Sequence, residues 1–444
     1  MKDNIIKFVL SLSLLLFYYS FQFTFTVHSF NHTNVKNNIE YLASDNFKGR
    51  LAGTLENEEA AAFIKSEFKN LGLIPFEGDY YDPFNAPFPN RLDQDPFLKI
   101  LDKNGKTIKD YKYNEDYKED MLNFKKNNLK FSKKDTIKMN NTAMQINQGN
   151  ESFIFYVPEN SNLSFRSSFI STDSNSLYIM ITQKTFDEIK DYISKGNTVS
   201  CFIPFDIKEG KLNNVIGYIK GSNPKAAPVI ISGHFDHLGS DLNGTIYSGA
   251  LDNASGISFV LEFAKYIRSL GTPDKSIIFV GFNAEEFGCV GSSKFVDKYK
   301  DSLKGAKVYN FDMVGSNNSV PLSIMAGEKD TINSDFIRSL TSTLSSENVT
   351  YSCVFENSSD HEAFRKNNID AITFSDDDMT RIHTPSDKPS FISTKSIDRC
   401  FSVASVEIIK QAFDGNPMLI HYENILMVSL ISIFLVFLLY RRTS

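Results

Sequence analysis

The sequence predicts an α/β fold: a mostly parallel central sheet with helices on both faces, an inserted strand-rich domain, and a C-terminal transmembrane helix. Three observations predict it. From Asn214 onward, short apolar runs alternate with helical patterns, which is how the strands of a parallel sheet are connected. Between about Asp79 and Gly210 that alternation lapses, and turn residues break up runs rich in Asn, Lys, Phe and Tyr. The last apolar run, Ile425 to Tyr440, is free of charge and closes on Arg441-Arg442.

The elements follow in order. Lys2 and Lys7 precede an apolar run from Phe8 to about Val27, so residues 1–29 read as a signal peptide with Val27-His28-Ser29 at its cleavage site, or else as an N-terminal anchor. Residues 30–78 form an N-terminal helical part of the sheet domain. Within it Ala60, Phe63, Ile64, Phe68 and Leu71 recur at helical spacing over Thr54 to Leu71, and Gly72 follows. Ile39 to Asp45 reads as a shorter helix ahead of it. Residues 79–210 form the inserted domain, with strands at Ser152 to Val157, Ser176 to Thr182 and Val199 to Pro204, a helix at Phe186 to Ser194, and no pair of residues that suggests chemistry. Residues 211–416 carry the sheet. Its expected strands are Val215 to Ile219, Pro228 to Ile231, Ile277 to Phe282, Val308 to Met313 and Ala371 to Phe374. Its expected helices are Ile257 to Leu270, Val290 to Tyr299, Ser334 to Leu344 and Ile397 to Phe413. A transmembrane helix over 424–440 and a short cytoplasmic tail, 441–444, complete the chain. The closing arginines put the tail on the cytoplasmic side, and hence an exported, membrane-anchored bulk on the extracytoplasmic side.

Composition narrows the partners. A net charge of -6 with no basic face or Arg-rich run gives nucleic acid nothing to bind. Four cysteines without CxxC spacing make neither a zinc ribbon nor a disulfide framework.

The chemistry gathers where strands end. Of seven histidines, His28, His32 and His421 lie near the chain ends, and the other four, His234, His237, His361 and His383, lie in loops of the sheet domain. His234 closes the strand at Ile231, and Asp236 two residues on is placed to take its other ring nitrogen. Asp252 stands just before a helix, where the ordinary reading is an N-cap and the functional one a carboxylate bridging two ions. Glu285 and Glu286 follow a fully apolar strand, so that one can ligate while its neighbour faces the reacting water. Asp312 ends another apolar strand, and an acid there is costly unless solvated, paired or metal-bound. His383 sits in a turn before the last helix. Each has an ordinary explanation alone. Together they suit two Zn²⁺ ions, one on His234 and Asp312, the other on Glu286 and His383, with Asp252 shared.

These stretches, GHFDHLG (233–239), GALDNASG (249–256), NAEEFGCVGS (283–292), NFDMVGS (310–316) and IHTPSD (382–387), resemble in order and spacing the motifs of the M28 family of metallopeptidases. YLASDNFKGRLAGTLENEEAAAFI (41–64) resembles the N-terminal segment of bacterial members. The resemblance implies a di-zinc peptidase fold for 211–416, with His234, Asp252, Glu286, Asp312 and His383 as ligands, Asp252 as bridge and Glu285 as general base. It implies peptide substrates and an aminopeptidase reaction, hydrolysis by attack of a metal-bound hydroxide on the N-terminal peptide bond. Carboxypeptidase, glutaminyl cyclase and a catalytically inactive receptor on the same fold are the alternatives. Arg365 and Arg381 are the cations that a carboxypeptidase would use on a free carboxylate. The insert resembles a protease-associated domain loosely. His361, Asp360 and His237 are candidate lining for the substrate pocket, with an ordinary polar loop as the equal alternative. Ile382 stands where several members carry a Tyr that holds the oxyanion, so another group must serve here.

Overall fold

In the computed structural model, which describes residues 2–443, one eight-stranded sheet organises the chain. Met1 of the expected export segment and Ser444 of the expected tail lie outside the described residues. Four neighbouring strands at the centre of the sheet, Ile277–Phe282, Val229–His234, Lys307–Phe311 and Asp370–Ser375, are parallel. Their sequences are near-continuous apolar runs because both faces are covered. On one face pack the helices His32–Leu42, Leu55–Asn70, Gly256–Ser269 and Thr394–Ala412, whose buried residues form the main core. On the other face Phe295 and Val296 of helix Val290–Tyr299 and Phe364 of helix His361–Lys366 cover Ile230, Ile278 and Val280.

The sheet is mixed outside that centre. Leu322–Ala326 runs antiparallel to Asp370–Ser375 and parallel to Tyr351–Phe355, and neither of these strands is foreseen in the sequence. Both runs are five residues long and carry a serine at their second position, which breaks the apolar continuity that marks the other strands.

The other departure concerns the insert. Tyr81–Arg91 pairs antiparallel along its whole length with Phe205–Ile219, from Tyr81 opposite Val215 to Arg91 opposite Phe205. Phe205–Ile219 in turn pairs with Ile277–Phe282. The segment expected as an insert, 79–210, therefore begins and ends in strands of the central sheet. What lies between is a four-stranded and a five-stranded sheet, from Phe97 to Phe202, around a second core with the helix Gln183–Ser194. Alternation of Pro, Asn and Phe hides the outgoing strand, since proline is tolerated at a sheet edge and this is the edge strand.

Long helices, Lys2–Thr26 and Pro417–Thr443, stand at the two ends. By length and composition alone, Asn4–Thr26 (23 residues) and Pro417–Arg441 (25 residues) are apolar enough to cross a membrane.

Arg50 locks the loops at the rim of the sheet. Its side chain is fully buried, and its guanidinium donates to the carbonyls of Phe235 (2.8 Å), Leu42 (2.7 Å), Ser248 (2.8 Å) and Gly249 (2.9 Å). It thereby ties the loop after Val229–His234 to the loop before Gly256–Ser269. Burial pulls the guanidinium down to about 10, opposed by the charges of Asp387, Asp236, Asp252 and Glu286. At Gly49, just before it, a Cβ would sit 2.4 Å from the carbonyl oxygens of both Gly239 and Tyr247, and φ is +76°, so glycine is required. Replacing Arg50 by Met strands four buried carbonyls. The expected cost is about 3 kcal/mol or more of folding stability, measured by urea unfolding of the detergent-solubilised chain.

Candidate metal centre

The parallel strands deliver their chemistry at their C-terminal ends, where open α/β sheets bind ligands. His234 is the last residue of Val229–His234; Glu285 and Glu286 follow Ile277–Phe282; Asp312 follows Lys307–Phe311; His383 lies in the loop beyond Asp370–Ser375. Asp252 lies in the segment Ala250–Ser255 that leads into Gly256–Ser269. All six side chains meet in one place. His234 Nε2 lies 3.5 Å from Asp252 Oδ1, 3.4 Å from Asp312 Oδ1 and 3.9 Å from Glu285 Oε2. His383 Nε2 lies 3.3 Å from Asp252 Oδ2 and 3.2 Å from Glu286 Oε2. Asp252 thus turns one oxygen to each histidine.

The surroundings hold each group in place. Both Asp387 oxygens accept from the backbone N–H of Leu251 (2.9 and 3.1 Å), and one also accepts from that of Asp252 (3.0 Å). Asn253 donates to the carbonyl of Phe311 (2.9 Å) and accepts from the N–H of Met313 (3.1 Å), which joins the Asp252 loop to the Asp312 strand. Ser359 donates to Asp312 Oδ2 (2.7 Å). The other Asp312 oxygen is buried and has no hydrogen-bond partner among the described residues.

Asp236 is close by but engaged differently than the spacing suggests. Its carboxylate accepts the backbone N–H groups of Glu285 and Glu286 (3.1 Å each) and so shapes the turn that presents them. His234 Nδ1 lies 3.3 Å from the Asp236 carbonyl oxygen and 3.7 Å from Oδ1, the latter beyond hydrogen-bond reach. His237 is fully buried beside the cluster, with Nδ1 2.9 Å from Glu286 Oε1 and 3.8 Å from Asp252 Oδ2. Gly249 makes room for that ring, since a Cβ there would come within 2.5 Å of it. His361 does not line the pocket. It is fully buried, with Nδ1 on the Thr373 hydroxyl (2.9 Å) and Nε2 on the Glu356 carbonyl (2.8 Å), and both nitrogens are occupied by internal structure. Asp360 is buried behind the cluster, its carboxyl pushed up to about 7 chiefly by that burial, in part against the charge of His234.

The insert reaches into the centre, although its sequence suggests no chemistry. Ser168 donates to Glu286 Oε2 (2.7 Å). The N–H groups of Arg166 and Phe169 bond the carbonyls of His383 (3.0 Å) and Glu286 (2.8 Å), and the Phe165 ring lies 5.8 Å from that of His383. Arg166, paired within the insert to the buried Glu119 (3.3 Å), donates to the Leu238 carbonyl (2.7 Å), and the buried pair Lys118–Asp241 (3.2 Å) makes a second tie to the sheet domain. A serine in an Asn- and Ser-rich stretch, about 120 residues before the Glu it touches, leaves no readable trace in sequence.

Electrostatics separates the two adjacent glutamates. Burial pushes the Glu285 carboxyl well above its ordinary range; His234 opposes this, while Glu286 and Asp312 reinforce it. Burial acts on Glu286 too, but His383 and His237 outweigh it and hold that carboxyl well below the ordinary range. For both His234 and His383, burial would lower the imidazolium, yet the facing carboxylates hold it well above its usual value. Imidazole nitrogens and carboxylate oxygens crowded in this way, with a buried oxygen unpartnered, are a donor set suited to zinc. Two groups whose donor atoms lie within 4.8 Å of one another stand side by side: His234, Glu285 and Asp312, and His237, Asp252 and Glu286.

Fold and cluster define an α/β domain whose sheet rim could hold divalent metal. The profile of peptidase family M28 matches residues 214–408. Aminopeptidase YwaD of Bacillus subtilis is 30% identical over 207 residues, 44% of each chain. The glutamate carboxypeptidase 2 homolog of Caenorhabditis briggsae is 31% identical over 132 residues, 28% of this chain and 16% of that one. The chain thus spans less than half the length of these curated relatives. Among solved structures, the aminopeptidase from Aneurinibacillus sp. strain AM-1 superposes with a TM-score of 0.58 at 21% identity, over 86% of this chain and 94% of that one. The zinc aminopeptidase BSAP of Bacillus subtilis superposes with a TM-score of 0.60 at 19% identity, over 87% and 96%. The similarity to peptidase family M28 thus falls on the sheet domain and its cluster.

Replacing Ser168 by Ala removes a hydrogen bond from the Glu286 carboxylate, made from the insert. Zinc affinity is expected to fall about 10-fold with little change in melting temperature, measured by competition with a chromogenic chelator.

Proposed function

We propose that the protein is a zinc aminopeptidase of the extracytoplasmic membrane surface, with two ions held by His234, Asp312, Glu286 and His383 and shared by Asp252. The observation that carries the reading is the convergence of His234, Asp252, Glu285, Glu286, Asp312 and His383 at the ends of the parallel strands, with Asp252 turning one oxygen to each histidine. Zinc in such a site supplies Lewis acidity and brings the pKa of water to about 7.

The residues of the chain then divide the work. Glu286, facing His237 and His383, serves as a ligand. Glu285, 3.9 Å from His234 Nε2 and with its side chain partly open to solvent, takes the proton of the attacking water and returns it to the leaving amine. Asp387 and Asn253 keep Asp252 aimed at both halves of the site. Phe165 and the segment behind it cover the cluster on the His383 side, an arrangement suited to a chain end rather than the middle of a polypeptide. Ile382 packs against the main core and offers no donor to an oxyanion.

The carboxypeptidase reading loses its cations. Arg365 is committed to Asp330, Asp370 (2.9 Å) and the Ile369 carbonyl (3.0 Å). Arg381 lies on the ring of Phe391 (4.0 Å) and donates to Asn317 (2.8 Å). Aminopeptidase YwaD also matches over more of this chain, 44%, than the glutamate carboxypeptidase 2 homologs, 28%.

Two outcomes are expected. Glu285→Gln retains zinc, measured by atomic absorption, while kcat falls roughly 10²–10⁴-fold; unchanged turnover would remove Glu285 from the reaction. Aminoacyl-anilides are hydrolysed by the zinc-loaded protein, whereas C-terminal and N-terminal glutaminyl substrates assayed beside them are left intact. A preference for either of the latter would overturn the aminopeptidase assignment.

A further inference from the structure

We propose that the N-terminal helix is retained in the mature protein and pairs antiparallel with the C-terminal helix, so that the enzyme is held by a two-helix membrane hairpin with both termini on one side. The inference is independent of the catalytic reading.

The first observation is the seam between the helices. Ser13 donates to Ser432 (2.8 Å), Ser20 Oγ lies 3.8 Å from Met418 Sδ, and the rings of Phe23 and Tyr422 are 6.1 Å apart. Ser13, Ser20 and Ser429 are buried in this seam. Small hydroxyl residues facing one another allow close approach and a hydrogen bond across helices, the usual basis of pairing in hydrocarbon. Away from the seam the surface is apolar: Phe8, Tyr18 and Phe25 on one helix, and Val428, Phe434 and Phe437 on the other, are all more than half exposed. In water such a surface is a liability; in a bilayer it is what lipid covers. Spans of 23 and 25 residues, at 1.5 Å per residue, reach about 35 Å, enough for a hydrocarbon core of about 30 Å.

The second observation is that the expected cleavage segment is built into the catalytic domain. Val27 is buried in the main core. The His28 amide donates to Ser269 Oγ (2.8 Å), and its ring lies 2.9 Å from Glu262 Oε1. Glu262, itself 4% exposed, also accepts from the Asn31 amide (3.1 Å) and from Asn34 (3.2 Å). Phe30 stacks on Phe401 at 4.1 Å. Cleavage after Ser29 would strip a buried carboxylate of its imidazole partner and open the site that Val27 fills, and both losses are costly.

The third is charge. In sequence, Lys2 and Lys7 lie at the start of one helix and Arg441 and Arg442 at the end of the other. In an antiparallel pair these fall at the same end, remote from the domain, and both helices obey the positive-inside rule together.

The full chain carrying Ser13→Cys and Ser432→Cys, in native membranes, tests this. On oxidation the uncross-linked band is expected to be lost in favour of an intramolecularly linked monomer and to return with reductant. The lipid-facing pair Phe8→Cys with Phe434→Cys should stay unlinked. Peptide mapping of the wild-type protein should recover the residues of the first helix, ahead of Phe30. A mature N-terminus near Phe30 would overturn retention. A retained helix whose 13/432 pair stays unlinked, or links only between two copies, would overturn the pairing.

Discussion

A buried guanidinium bound to carbonyl oxygens sets the terms for the rest of the molecule. Arg50 has no carboxylate in direct contact; it spends its donors on the backbone of three separate segments. A buried charge is tolerated only when its hydrogen bonds are satisfied and opposite charge lies near. Both conditions are met by the same loops that carry His234 and Asp252, and the opposing charges are Asp387, Asp236, Asp252 and Glu286. The cation is therefore both a clamp on loop geometry and a counterweight to the acids beyond it.

Around that clamp the acidic residues hold one another's backbones. Asp387 grips the amides at 251 and 252, and Asp236 grips those at 285 and 286. Acids that bind amides need no metal, so they can preorganise the acids that would. The two glutamates then differ by what their side chains face. One turns toward two imidazoles and a serine, the other toward carboxylates and a single histidine.

Much of this was legible in the sequence because it follows from chain-local rules. Apolar runs ending in Gly233-His234, Phe282-Asn283 and Phe311-Asp312 mark central strands and their active ends together. What was not legible depends on distant pairing. Pro-rich Tyr81–Arg91 reads as loop until Phe205–Ile219 is seen beside it. His361 looks like its functional neighbours until Thr373 and the Glu356 carbonyl take both its nitrogens. Asp236 has the spacing to orient His234, but the turn at 285–286 competes for its oxygens and wins two amides. Ser168 and Phe165 act across a domain boundary, and no local pattern announces such a contact.

The insert's mounting has a consequence for exchange of parts. Because its two connecting strands belong to the central sheet and its Ser168 touches the Glu286 carboxylate, it is not a removable cassette. Grafting another module onto the same stem would leave Glu286 short of a donor and His383 without its aromatic cover, however well the graft folded. Recombination in such a lineage would have to carry the insert and the loops around Glu286 and His383 together.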